Sequence, residues 1–78
     1  MKRIGRVLHV SPNGNLILKA ENLPRTNDRV VDELLKPIGR VFDIFGPFSA
    51  PYVAVKPQVK EPRHVVGQIL YAAPRRRR

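Results

Sequence analysis

Short apolar runs separated by turn-forming residues dominate the hydrophobic pattern, and the first two runs give the clearest prediction. Residues 4–10 are rich in β-branched side chains, and residues 16–20 follow them after Ser-Pro-Asn-Gly-Asn. An Asn-Gly pair between two apolar runs is the strongest short-range signal for a β-hairpin. The pattern therefore predicts two antiparallel strands, with Ile4, Leu8 and Val10 on one face of the first.

The next apolar segment, residues 29–36, fits either a helix or a strand. Its four aliphatic residues recur at helical spacing behind Asp28, which could cap a helix. Val30 and Val31 fit equally well in a short strand that turns over residues 33–37. We favour the strand, because a helix this short would be marginally stable and Pro37 would end it.

Residues 38–45 carry apolar side chains on both faces of a predicted strand. Alternation places Ile38, Phe42 and Ile44 on one face and Val41 and Phe45 on the other. An edge strand of a small barrel buries only one face, so the surplus predicts a second contact surface.

Two further strands are predicted over residues 51–56 and 65–71, with a polar loop over 58–64 between them. A glycine pattern repeats in the chain, since residues 4–7 and 38–41 both read Ile-Gly-Arg-Val and residues 66–69 read Val-Gly-Gln-Ile. Glycine inside a strand marks a bulge, a sharp bend or a close backbone approach. We therefore expect three kinked strands in a sheet that curls towards closure.

The predicted architecture is an all-β domain of six or seven short strands, with tight turns and eight prolines in 78 residues. This density of strands is typical of a small, partly open antiparallel barrel. We assign residues 1–73 to the barrel and residues 74–78 to a short basic tail. A chain of 78 residues is expected to form one domain, and its core must be small because a chain of this length buries only about 60 to 65% of its unfolded surface.

Charge is the feature of the composition that narrows the choice of partner. The formal net charge is +9, which favours a polyanion or an acidic protein. Arg75, Arg76, Arg77 and Arg78 could contact RNA phosphates, and a solvated tail is an equally good interpretation. Pro47 and Pro51 interrupt the longest uncharged run, so we expect no membrane span, and without a secretory signal we expect a cytoplasmic protein.

Candidate chemistry is sparse. The chain has no cysteine and two isolated histidines, His9 and His64, so we expect no metal site. Asp43 could act as a general acid or base if the strand around it were buried, although no second carboxylate or histidine lies near it in sequence. No phosphate-binding glycine loop is present. We expect no catalytic residue, no cofactor and no small-molecule substrate.

The aromatic cluster around Gly46 and Pro47 is the best candidate for a binding site. A core this small can bury only some of these side chains, and no basic residue lies between Ile44 and Val55. Platforms that stack RNA bases interleave aromatic and basic residues, so this segment favours a protein partner. The predicted partner-binding residues are Ile44, Phe45, Gly46, Pro47, Phe48, Pro51 and Tyr52.

The segment 38–47, Ile-Gly-Arg-Val-Phe-Asp-Ile-Phe-Gly-Pro, resembles the Gar family of H/ACA ribonucleoprotein subunits in its short archaeal form. Tyr52 and Val55-Lys56-Pro57 extend the resemblance, and the segments 4–7, 31–32 and 66–69 match more loosely. The resemblance implies a six-stranded barrel like those of some reductase, isomerase and elongation-factor domains. The family's eukaryotic members carry Arg-Gly-Gly tails, and only four arginines stand at the end of this chain.

The resemblance also implies a non-catalytic accessory subunit that binds the catalytic domain of a dyskerin-like pseudouridine synthase. Such a subunit influences the loading and release of substrate RNA during rRNA modification, and its own contact with the guide RNA is weak or absent. The alternative that the residues leave open is a stand-alone RNA-binding module of the OB type.

Overall fold

A computed structural model describes residues 2–73, which form a closed barrel of six antiparallel strands. The order around the barrel is β1-β2-β5-β4-β3-β6, and a 3₁₀ helix, Pro62–Val65, precedes the last strand. The strands are β1 (Lys2–Val10), β2 (Leu16–Lys19), β3 (Arg29–Val31), β4 (Pro37–Phe45), β5 (Tyr52–Pro57) and β6 (Ile69–Ala73). The predicted all-β barrel is confirmed, and it is closed where the sequence pattern predicts a partly open one.

Aliphatic side chains from all six strands fill the barrel. Leu16, Leu18, Val53 and Val55 on β2 and β5 are fully buried, because alternate residues of a strand point to the same side of the sheet. The 3₁₀ helix adds Val65, which covers one end of the core. Antiparallel pairing of β1 with β2 confirms the predicted N-terminal hairpin, and pairing of β3 with β4 confirms the predicted strand at Val30 and Val31.

The two Ile-Gly-Arg-Val segments occupy equivalent places in β1 and β4. A Cβ atom added to Gly5 would clash with the carbonyl oxygen of Lys19, and one added to Gly39 would clash with that of Lys56. Backbone hydrogen bonds repeat as well, since Ile4 and Ile38 each accept one from the chain just beyond the paired strand. The barrel is therefore two similar halves, β1–β3 and β4–β6, and close backbone approach explains both glycines.

Bulges change the face assignments that alternation predicts. The β1–β2 register shifts between Val7 and His9, and the β4–β5 register shifts between Val41 and Asp43. A bulge inserts one residue into one strand and leaves it unpaired. The inserted residue is Leu8 in β1, which is 44% exposed, so its predicted place beside Ile4 on the inner face is wrong.

Two register shifts change the faces of β4. Phe42 is the inserted residue in the pairing with β5, and Ile38 is the inserted residue in the pairing with β3, where the register shifts between Val30 and Val31. Ile38 and Val41 lie in the core and Ile44 packs against it, whereas Phe42 and Phe45 point outward. The predicted grouping of Phe42 with Ile38 and Ile44 is wrong.

The segment before β6 also differs from the prediction. Residues 65–68 end the 3₁₀ helix and form a turn, so the strand starts at Ile69 and not at residue 65. Gly67 has a φ of +91° in that turn. It does not kink a strand, which makes the third copy of the glycine pattern unrelated to the other two. The predicted basic tail, residues 74–78, lies outside the described residues.

Candidate partner-binding surface

A tight apolar turn joins β4 to β5 and carries most of the predicted partner-binding residues. The amide of Ala50 donates a hydrogen bond to the carbonyl of Pro47 at 3.0 Å, which closes a β-turn with Phe48 at its tip. Phe48 is fully exposed, at 104% of its reference area. A phenylalanine held outward in this way finds no partner within residues 2–73, so the turn presents a free apolar side chain.

Phe45 and Tyr52 form the base of the turn. They face each other as register partners of β4 and β5, and their rings stack with centroids 5.9 Å apart and planes 20° apart. Gly46 follows with a φ of +97°, and a Cβ atom there would lie 3.0 Å from the Tyr52 ring. Glycine at this position therefore lets the chain turn against the ring and keeps the aromatic pair on the outer surface.

The remaining predicted residues have mixed positions. Pro47 is exposed, and Pro51 is half-buried, with its carbonyl accepting a hydrogen bond from the amide of Ala20 at 3.0 Å. Ile44 is half-buried and packs against the core. The structure therefore brings six of the seven residues into one surface turn and places Ile44 beneath it, and their contact with a partner stays a prediction.

Phe42 is a further exposed aromatic residue on the outer face of β4. It is 57% exposed beside the register row His9, Ile17, Ala54 and Asp43, which crosses four strands. Ile17 and Ala54 lie outside the core cluster and are nevertheless buried. The outer sheet face is thus apolar between the two bulges. Sequence reasoning missed Phe42, because only the register shift shows which face it occupies.

The carboxylate considered for acid–base chemistry lies on the surface near the turn. Asp43 is exposed, and its Oδ1 accepts a hydrogen bond from the amide of Ile44 at 2.9 Å, so the burial required for the acid–base alternative is absent. No cluster of three or more His, Asp or Glu side chains within residues 2–73 could hold a metal ion. In the same part of the chain, no helix is long and apolar enough to cross a membrane.

Strand pairing also places basic residues beside aromatic ones where the linear sequence keeps them apart. Lys19 of β2 is the register partner of Tyr52 of β5. The predicted RNA contacts at Arg75, Arg76, Arg77 and Arg78 lie outside the described residues. The separation of basic and aromatic residues along the chain therefore does not hold on the folded surface.

The comparisons with known proteins agree on one family. A family model described as the Gar1/Naf1 RNA binding region matches residues 1–77. An uncharacterized protein of Methanothermobacter thermautotrophicus is 35% identical over 75 residues, covering 91% of this chain and 82% of that protein. An uncharacterized protein of Methanocaldococcus jannaschii is 36% identical over 55 residues, covering 70% of this chain and 67% of that protein. The family match confirms the resemblance seen in the sequence and extends it over nearly the whole chain. The chain belongs to the Gar1/Naf1 family.

Proposed function

We propose that this protein is a non-catalytic accessory subunit of an H/ACA guide-RNA pseudouridylation particle. It binds the catalytic domain of a dyskerin-like synthase and modulates the loading and release of substrate RNA. Family membership supports the association with the particle. The observation that carries the finer proposal is the exposed aromatic turn, with Phe48 at its tip and the stacked Phe45 and Tyr52 at its base.

The turn has the properties of an interface anchor. Aromatic side chains dominate the binding energy of many interfaces, and a few anchors carry most of it. Here three aromatic rings lie within eight consecutive residues, and their backbone is restrained by two prolines and a closed hydrogen-bonded turn. A restrained turn loses little conformational entropy on binding, so more of the contact energy appears as affinity.

In this proposal the subunit modulates RNA loading by binding to the synthase, with no catalytic residue of its own. Within residues 2–73 the carboxylates accept hydrogen bonds from backbone amides, pair with an arginine, or lie alone on the surface. No group of three or more His, Asp or Glu side chains in that part of the chain could hold a metal ion. A subunit of this kind acts by favouring one conformation of its partner, because a bound protein shifts an equilibrium by its difference in affinity for the two states. The pseudouridylation chemistry belongs to the synthase.

The decisive experiment measures binding of the purified chain to the isolated synthase subunit, with and without guide RNA. We expect binding without RNA, and we expect Phe45→Ala to weaken it about 30-fold or more, equivalent to about 2 kcal/mol. The control is Leu34→Ala, which removes an aliphatic side chain that is 87% exposed in the turn before β4. That turn lies at the opposite end of β4 from Phe45.

Two outcomes would contradict the proposal. If the wild-type chain has no affinity for the synthase, or binds it only through RNA, the protein acts as the stand-alone RNA-binding module that the sequence left open. If Phe45→Ala unfolds the barrel, Phe45 is a structural residue. Thermal unfolding of each variant separates this second outcome from a true loss of binding.

A further inference from the structure

Three basic side chains form one row across the outer face of the barrel. Arg29 of β3 is the register partner of Arg40 of β4, and Arg40 is also the partner of Lys56 of β5. All three side chains are exposed. Neighbouring strands lie about 4.8 Å apart, so the backbone positions of these three basic residues span about 10 Å.

Nothing within residues 2–73 neutralises this row. The ion pair found in that part of the chain joins Arg3 and Glu21, and none of the three row side chains makes a hydrogen bond there. Asp28 and Asp43, which lie close to Arg29 and Arg40 in sequence, accept hydrogen bonds from backbone amides, Asp28 from Arg25 and Asp43 from Ile44. Like charges directly opposite each other destabilise a sheet, so the row carries a cost that the fold does not require.

The other side of the barrel, around β1, also indicates that the fold does not require three basic residues in a row. The equivalent row on that side includes Arg6 of β1, whose register partner on β6 is Ile69. The Arg6 guanidinium donates a hydrogen bond to the carbonyl of Gly67 at 2.8 Å. The position equivalent to Arg29 is therefore aliphatic on that side, and the arginine beside it is bonded to the backbone, while Lys19 takes the place of Lys56.

We propose that Arg29, Arg40 and Lys56 bind the phosphate backbone of an RNA strand. Phosphates follow one another by about 3.4 Å of axial rise along one strand of a duplex, so a row of cations about 10 Å long spans about three of them. Arginine suits this role because its planar guanidinium can donate two parallel hydrogen bonds to one phosphate. RNA is preferred over an acidic protein because the family model that matches this chain describes an RNA-binding region.

The position of the row also connects it to the basic C-terminal sequence. Ala73, the last described residue, is the register partner of Arg29 on β6. The sequence continues from there with one proline and four arginines. The described part of the chain therefore ends next to the row, and because four arginines follow in the sequence, the experiment must keep the two effects apart.

The test measures binding of the isolated chain to a 12-nucleotide oligouridylate between 50 and 200 mM salt. The variant Arg29→Gln/Arg40→Gln/Lys56→Gln should reduce the slope of log affinity against log salt by about 2, because each phosphate contact on a single strand contributes about 0.7. Wild-type affinity should consequently fall about 20-fold more than that of the variant across this range. The midpoint of thermal unfolding should stay the same or rise, since the repulsion within the row is removed.

The matched control removes the same charge elsewhere. Lys36, Lys60 and Arg63 are exposed residues in the turn before β4 and the connection to β6, and the variant Lys36→Gln/Lys60→Gln/Arg63→Gln should keep the wild-type slope. A second comparison, Arg29→Lys/Arg40→Lys/Lys56→Arg, preserves the charges and should also keep it. Both comparisons are repeated in a chain whose four terminal arginines are changed to glutamine. In that background the salt slope of the row variant should still be lower than that of the charge-removing control.

Three results would overturn the proposal. If the row variant and the charge-removing control reduce the salt slope equally, binding follows net charge. If both variants keep the wild-type slope, the row does not contact RNA. Binding to polyglutamate is measured in the same way as a model of an acidic protein. If the row variant loses as much affinity for polyglutamate as for RNA, or more, the row binds an acidic protein. The synthase takes no part in these measurements, so they neither depend on nor decide the proposed subunit function.

Discussion

The β1–β2 and β4–β5 hairpins build equivalent parts of the barrel and end in opposite kinds of turn. Each has a glycine under a carbonyl of the paired strand and a bulge shortly after that glycine. The first turn is polar, and the Ser11 hydroxyl accepts a hydrogen bond from the Asn15 amide at 3.1 Å. The second turn presents Phe48 to solvent. Features that both hairpins share serve the barrel, and features of one hairpin alone are free to serve recognition.

The largest effect is expected at the shared glycines. Gly5→Ala and Gly39→Ala should each lower the free energy of unfolding by about 3 kcal/mol, because a Cβ atom would meet a backbone carbonyl that cannot rotate away. Denaturant unfolding measures the loss, with the exposed Arg40→Ala as a control expected within about 0.5 kcal/mol. Tolerance of alanine at one of the two glycines would break the equivalence of the hairpins.

The next effect concerns the tips of the two turns. Phe48→Ser should weaken binding to the synthase by about 2 kcal/mol, while unfolding changes by less than about 0.5 kcal/mol, because this side chain is fully exposed. The reciprocal variant Asn13→Phe places an aromatic residue on the polar turn and should not increase affinity. Titration calorimetry with the synthase measures both, and an equal gain from Asn13→Phe would show that any exposed aromatic residue suffices.

A smaller effect is expected at the two bulges. Phe42→Ala should weaken synthase binding by about 1 kcal/mol, because Phe42 is an exposed aromatic residue on the same strand as Phe45, three positions before it. Leu8→Ala, at the equivalent bulge of β1, should leave affinity unchanged. Equal losses from the two variants would indicate that the partner covers the whole outer sheet face, and no loss from either would confine the contact to the turn.

The smallest effect is expected at a feature of the first hairpin that the second lacks. Arg3 Nε and Glu21 Oε1 lie 3.0 Å apart, with about half of each side chain exposed. Glu21→Gln should change the free energy of unfolding by less than about 0.5 kcal/mol, and salt at about 1 M should abolish the difference, because exposed ion pairs contribute little and are screened. A loss above about 1 kcal/mol that persists in high salt would contradict this.

Local signals in the sequence predict most of the fold. Asn13 and Gly14 identify the first hairpin, and the strand predicted over residues 51–56 is present as β5, Tyr52–Pro57. The face of Phe42 could not be predicted, because a bulge depends on the register between two strands and leaves no mark in either one alone. The strand predicted to start at Val65 is wrong there because a 3₁₀ turn this short has no periodicity of its own.

The candidate sites differ in the same way. The aromatic turn is contiguous in sequence, so Phe45, Phe48 and Tyr52 can be proposed from the amino-acid pattern alone. The row of Arg29, Arg40 and Lys56 joins residues from three strands, and only strand pairing brings them together. Surfaces built from one segment are visible in a sequence, whereas surfaces built across strands require the register.

The bulges have a consequence for insertions and deletions. Elsewhere in a strand, removing one residue inverts the orientation of every residue that follows. At Leu8 or Phe42 the extra residue is already outside the ladder, so its deletion would restore regular alternation and leave the residues beyond it on their present faces. The barrel can therefore gain or lose a displayed side chain at these two positions without rebuilding its core.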